Sequence, residues 1–175
     1  MSNPGKPYVL DSNVFIQAKN DYYAFDICPG FWEALEQQGT AANLRSIDRV
    51  RSELERGHDQ LSDWVKSVDR SFFDGTADRE VIAAYGELIQ WVQGHPQFTR
   101  AAKSDFAQID NADPWLIAYA QAHDCVVVTH EVFEPEVRKK VKIPNVCQQF
   151  GVPTVNTFAM LRELGIRFAL APDSP

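Results

Sequence analysis

The first apolar run, Tyr8-Val9-Leu10, stops at Asp11-Ser12-Asn13 and resumes as Val14-Phe15-Ile16. This pattern predicts a strand over 7–11 and a short helix over 13–19, with Asp11 at their junction. Pro29 opens a second helix through Phe31, Trp32 and Leu35 that Gly39 closes, proline early and glycine late as helix termini prefer. A short extended piece near Ala42 to Ser46 follows. From Ser46 to Arg56, Ile47, Val50 and Leu54 share one helical stripe, with Glu53 at its border and Glu55 on the opposite flank. Leu61, Trp64, Val65 and Val68 then recur at i, i+3, i+4 and i+7. Val81, Ile82, Tyr85, Leu88, Ile89 and Val92 repeat that period in a longer helix ended near Gly94-His95-Pro96.

Asp113-Pro114 reads as N-cap and first residue of a helix that carries Leu116, Ile117 and Ala120 and ends near Asp124. Cys125-Val126-Val127-Val128-Thr129 is the clearest strand, so rich in β-branched residues that both its faces are expected to be buried in a parallel sheet. Asn145 to Phe150, closed by Gly151, predicts a short helix, Val152 to Val155 a last strand, and Thr157 to Leu164 a final helix closed by Gly165. Strands alternating with helices argue for an α/β fold with a central parallel sheet. The helical block at about 58–107 is an extended insert, serving as a cap over a site or as a partner surface. No repeat, low-complexity tract or linker marks a second domain, so 1–175 is expected to be a single domain with a loose polar lead-in over 1–6.

Composition adds exclusions. No apolar run approaches the roughly 20 residues that span a bilayer, and the N-terminus lacks the apolar stretch of a signal peptide. No membrane association and a cytoplasmic location are the resulting expectations. Cys28, Cys125 and Cys147 form neither an even set nor a CxxC spacing and read as reduced, buried thiols. His58, His95, His123 and His130 are scattered, against a structural zinc site. The net charge of −7 argues against broad adhesion to nucleic acid. Locally, Arg138-Lys139-Lys140 with Lys142, and Arg45, Arg49, Arg51 and Arg56, form basic clusters that either flank an acidic centre or are solvated faces.

The acids carry the chemistry. Asp11, Glu53, Asp113 and Glu131 each lie beside an apolar run that can bring them to one sheet rim, where open α/β folds hold their ligands. Taken singly, Asp113 reads as an N-cap, Glu53 as a surface glutamate and Glu131 as the cap of a strand-to-loop turn; Asp11 is harder to dismiss, because burial near a rim is costly for an unpaired charge. Ionised carboxylates about 4 Å apart repel by roughly 4 kcal/mol per pair at an effective dielectric of 20, and a divalent cation is the natural compensation. Oxygen ligands without histidine or cysteine favour Mg²⁺ or Mn²⁺ over zinc.

The series Val9-Leu10-Asp11-Ser12-Asn13-Val14-Phe15-Ile16, Val50-Arg51-Ser52-Glu53-Leu54, Ala112-Asp113-Pro114-Trp115-Leu116-Ile117-Ala118 and Val127-Val128-Thr129-His130-Glu131 resembles the PIN domain over about 8–168. It looks closest to a PIN-like branch known mainly as a domain of unknown function. The resemblance implies a three-layer α/β/α sheet protein with an acidic pocket at the strand ends and metal-dependent hydrolysis of RNA phosphodiesters. Asp11, Glu53 and Asp113 match the three core metal-binding acids, and Glu131 the fourth. Asn13 matches the polar residue that supports the first acid, and Thr129 the hydroxyl at the end of the fourth strand. Many relatives are toxins of toxin-antitoxin pairs, so an antitoxin partner and a homodimer are family expectations. Ser12 stands where the family usually has threonine, Glu131 where aspartate is usual, and the stretch between Glu53 and Asp113 is longer than in compact toxins.

The leading expectation is therefore an Mg²⁺- or Mn²⁺-dependent endoribonuclease, with Arg138, Lys139 and Lys140 holding the substrate backbone. A non-catalytic module that binds nucleic acid or protein, and a structure-specific DNA nuclease, are the alternatives. A haloacid-dehalogenase-type phosphatase needs a second aspartate where this chain has Asn13.

Overall fold

A computed structural model of the chain describes residues 5–172. Five parallel strands, β1 (Tyr8–Leu10), β2 (Leu44–Ile47), β3 (Phe73–Asp74), β4 (Val126–Val128) and β5 (Thr154–Val155), form a sheet of order β3-β2-β1-β4-β5. Tyr8 pairs with both Leu44 and Val126, and Leu10 with Val128. The β1 and β4 residues are all buried, as expected for central strands of a parallel sheet covered on both faces. The buried Ser46 hydroxyl donates to the Leu10 carbonyl at 2.7 Å, which satisfies a polar atom inside the core.

The helices are α1 (Ser12–Asn20), α2 (Pro29–Thr40), α3 (Asp48–Glu55), α4 (Gln60–Ser67), α5 (Arg79–Gly94), α6 (Arg100–Phe106), α7 (Asp113–Ala122), α8 (Ile143–Gln149) and α9 (Thr157–Glu163). Helices α1, α3 and α4 pack on one another, while α7 lies against β1, β2 and β4 and is backed by α5 and α8. The architecture is three-layer α/β/α. Among the described residues no helix is long and apolar enough to cross a membrane.

Several sequence expectations change. The stretch expected to be helical from Ser46 begins as strand, because β2 runs to Ile47 and α3 starts only at Asp48. The block at 58–107 is not purely helical: Phe73–Asp74 pairs with Ser46 and Ile47 and supplies the sheet edge. Helix α2 runs one residue past Gly39, to Thr40, and the glycine has a second role: a Cβ there would stand 2.7 Å from the Phe72 ring. That ring belongs to an aromatic cluster in which Trp64 meets Phe15 at 5.8 Å, Trp32 at 4.9 Å and Phe72 at 5.7 Å. Of the lead-in over 1–6, residues 1–4 lie outside the described residues, while Lys6 is paired with Asp124 at 2.6 Å. Cys28 is only half-buried, unlike Cys125 and Cys147; all three are free thiols.

Gly39→Ala tests this packing. Helix propensity alone favours alanine by about 1 kcal/mol, whereas overpacking against Phe72 costs about 1–3 kcal/mol. Denaturant unfolding should show a net loss that Phe72→Leu, added to Gly39→Ala, partly restores. A net gain from Gly39→Ala would contradict the close approach.

Candidate functional site

In an open parallel sheet the ligand crevice opens where the strand order reverses, beyond the carboxyl ends of the two strands involved. Here that point lies between β1 and β4. Asp11 follows β1 with extended backbone (φ −69°, ψ 151°), and its N–H donates to the Val128 carbonyl at 3.0 Å. The side chain is 1% exposed. Across the crevice the Thr129 hydroxyl, just past β4, donates to Asp11 Oδ2 at 3.0 Å and accepts the Glu131 N–H at 3.2 Å. The buried Ser12 hydroxyl lies 3.4 Å from Asp11 Oδ1.

Asp113 opens α7, which packs on β1, β2 and β4, and its carboxylate lies close enough to Asp11 for the two charges to act on one another. It was expected as an N-cap, but Ala112 holds that position and the Asp113 side chain makes no capping bond. Its backbone N–H is taken by Asn111 Oδ1 at 3.0 Å, and its carboxylate feels the charges of Asp11, Glu131 and Glu53. Glu53 reaches the group from α3, beside buried Val50 and Leu54.

The four acids act on one another. Burial pushes the Asp11 carboxyl up to about 6; the Thr129 hydrogen bond opposes that, and the charges of Glu131 and Glu53 reinforce it. Burial pushes Asp113 up to about 7, with further lift from Asp11, Glu131 and Glu53 and opposition from the Lys140 ammonium. Two desolvated carboxylates with like charges beside them hold protons near neutrality. One ammonium faces up to four negative charges, so the group carries an unbalanced negative field.

Glu131 differs from the other three. Its carboxylate is ion-paired with Lys140 and accepts the Ile143 N–H at 2.8 Å, so it also anchors the start of α8. Its side chain is 12% exposed. Lys140 is thus drawn to the acids, while Arg138 and Lys139 stay exposed on the loop. The Arg138 carbonyl accepts the Thr99 N–H at 2.9 Å, tying that loop to α6. Lys142 pairs with Glu134 at 2.7 Å.

The other basic cluster is engaged by groups of the same chain, partly buried for Arg45, Arg49 and Arg51 and at the exposed surface for Arg56. Arg45 pairs with Asp74, Arg51 with Glu55 and Arg56 with Asp110. Arg49 lies 4.0 Å over the Trp115 ring and donates to Thr76 and to the Ile109 carbonyl. Asn13 is exposed, and its side chain lines a groove of about 460 Å³ shared with Gln17, Asn20, His130, Glu131 and Lys140. Support for Asp11 comes from the Asn13 backbone amide and from two hydroxyls rather than from the Asn13 side chain. Sequence reasoning missed Gln17 and His130. The signal for Gln17 was present, because Asn13, Gln17 and Asn20 fall at i, i+4 and i+7 as one polar stripe of α1.

The fit to a cation is bounded on both sides. Among the described residues no group of three or more His, Cys, Asp or Glu side chains is arranged as a ready cage for a metal ion. A magnesium-type ion does not require one, since it keeps several waters and uses one or two carboxylates. Asp11 and Asp113 supply that pair with oxygen donors alone.

The chain belongs to the DUF4411 family. The model of that family, described as Domain of unknown function (DUF4411), matches residues 8–168, from β1 past α9, and so includes all four acids. No curated protein and no solved structure matches the chain.

The acid pair sets a pH dependence. In the unfolded chain both aspartates ionise near the ordinary carboxylate value of about 3.9, whereas in the fold they hold their protons to about 6 and about 7. Their stabilising contribution is complete below the unfolded value and is lost as pH rises through the folded ones. Metal-free protein should therefore melt at a higher temperature at pH of about 5 than at about 8, and Asp113→Asn should flatten that difference. Equal melting temperatures across this range in the unmodified chain would contradict the strained pair.

Proposed function

We propose that this protein is a metal-dependent nuclease of the PIN type that hydrolyses RNA phosphodiester bonds. The observation that carries the reading is the desolvated Asp11–Asp113 pair at the strand-order reversal, each carboxyl raised by burial and by neighbouring acids. The four-motif order from Asp11 to Glu131 supports the same conclusion.

In this reading Asp11 and Asp113 would hold an Mg²⁺ or Mn²⁺ ion, which needs only one or two carboxylates. Such an ion lowers the pKa of a bound water and stabilises charge on a phosphate. The remaining work belongs to the chain's own groups. Thr129 and Ser12 fix the orientation of Asp11 through their hydroxyls. Glu53 adds negative charge on the α3 side of the crevice, where it can orient a water. Lys140, held against Glu131, is the cation that can turn to a backbone phosphate without leaving the site. Arg138 and Lys139 extend basic surface along the same loop. A toxin role, with an antitoxin partner and a homodimeric state, belongs to this proposal as a family expectation.

One observation favours a second reading, a nucleic-acid-binding module that does not cut: Glu131 already has both oxygens occupied, by Lys140 and by Ile143 N–H. Cleavage separates the two. Purified full-length protein should cut single-stranded RNA in the presence of Mn²⁺, and Asp113→Asn should slow cutting about a thousandfold, equivalent to roughly 4 kcal/mol of transition-state stabilisation. Thr129→Val, which removes only the orienting hydroxyl, should slow it about 10–100-fold. No cleavage, or equal cleavage by the unmodified chain and Asp113→Asn, would contradict the nuclease reading.

A further inference from the structure

A second, smaller cleft adjoins the groove lined by Asn13, Glu131 and Lys140 and shares Gln17 and His130 with it. It holds about 70 Å³ and is lined by Tyr22, Tyr23, Thr157 and Phe158 besides these two. The space suits a small flat group rather than an extended ligand.

Its walls differ in character. Tyr23 forms a rigid floor: its ring is stacked on core Phe31 at 4.5 Å and meets Phe158 at 6.4 Å. His130 is fixed by a 2.9 Å hydrogen bond between its Nε2 and the Thr157 hydroxyl. It stands 6.3 Å from the Phe158 ring in an edge-on arrangement. Against these fixed groups, Tyr22 is 75% exposed and Phe158 38% exposed. Two exposed aromatic rings beside a pre-formed cleft form an apolar surface of the kind that marks a binding site. Gln17 and His130 add hydrogen-bonding groups at its polar rim.

Aromatic faces with a few polar atoms at their edge match the chemistry of a nucleobase. The adjacent groove contains Lys140, the cation suited to the phosphate of the same nucleotide. A base inside a duplex cannot present its face to such a cleft, so the base must be unstacked. We propose that this cleft is a nucleobase subsite that receives one unstacked base of single-stranded RNA while its backbone lies along the neighbouring groove, past Lys140 and Glu131. The assignment rests on the nuclease reading for the placement of that backbone.

The test measures binding of a fluorescein-labelled single-stranded RNA, and of a hairpin duplex of the same composition, to full-length protein carrying Asp113→Asn, the variant expected to cut about a thousandfold more slowly. Tyr22→Ala and Phe158→Ala, each added to that background, should weaken single-strand binding about tenfold or more. The duplex should bind no better than the single strand does to those variants. Tyr22 is mostly exposed, so Tyr22→Ala reports on the subsite even if Phe158→Ala perturbs the fold. Unchanged single-strand affinity in Tyr22→Ala, duplex binding as tight as single-strand binding, or no RNA binding at all would overturn the subsite. The two readings fail separately. Cleavage by the unmodified chain with unchanged affinity in Tyr22→Ala removes the subsite and keeps the nuclease, whereas Tyr22-dependent binding without cleavage does the reverse.

Discussion

The hydrogen bond from the Thr129 hydroxyl to the Asp11 carboxylate spans the crevice between the two central strands, and the rest of the site is arranged around it. A carboxylate 1% exposed is expensive to ionise, and its neighbours reduce that penalty only in part. Thr129 and the Asn13 amide favour the charged form, while Glu131 and Glu53 disfavour it. The sheet fixes this conflict in place. Asp11 N–H is bonded to Val128 and Thr129 N–H to Val155, so neither residue can move away without breaking the ladder.

The excess negative charge explains the local build of the 130–142 loop. Lys140 is drawn against Glu131, whose second oxygen holds the start of α8. The loop is tied at another point to α6 through the Arg138 carbonyl. One lysine cannot balance four ionised carboxylates, and Asp11 and Asp113 therefore keep their protons to about 6 and about 7. The fold is thus ordered around a centre that is destabilised at neutral pH, the form of strain expected where a bound ligand supplies the missing interaction.

Much of this was legible in the chain. Tyr8-Val9-Leu10 and Val126-Val127-Val128 are short apolar runs that stop at polar residues, and both proved to be central strands with their chemistry just past the end. Asp113 was legible as a helix start but not as a free carboxylate, because an acid before proline usually caps and only the backbone shows that Ala112 holds that position. Strand β3 escaped because two residues carry no periodicity; its pairing with β2 is a tertiary fact. Gly39 misled for a related reason, since its role is set by Phe72, more than thirty positions away. The basic clusters could not be sorted from sequence, because burial and pairing decide which cation is spent: Arg45 on Asp74, Arg51 on Glu55, and Lys140 at the acids.

The central claim is the proposal that the Asp11–Asp113 pair binds a divalent cation. Calorimetric titration of the full-length protein with Mn²⁺ at pH of about 6.5, repeated in buffers of different ionisation enthalpy, tests it most directly, because raised carboxyls must release protons when a metal binds them. The account predicts saturable binding with net proton release, abolished by Asp11→Asn and by Asp113→Asn. Absence of binding, or binding that survives both substitutions, would contradict it.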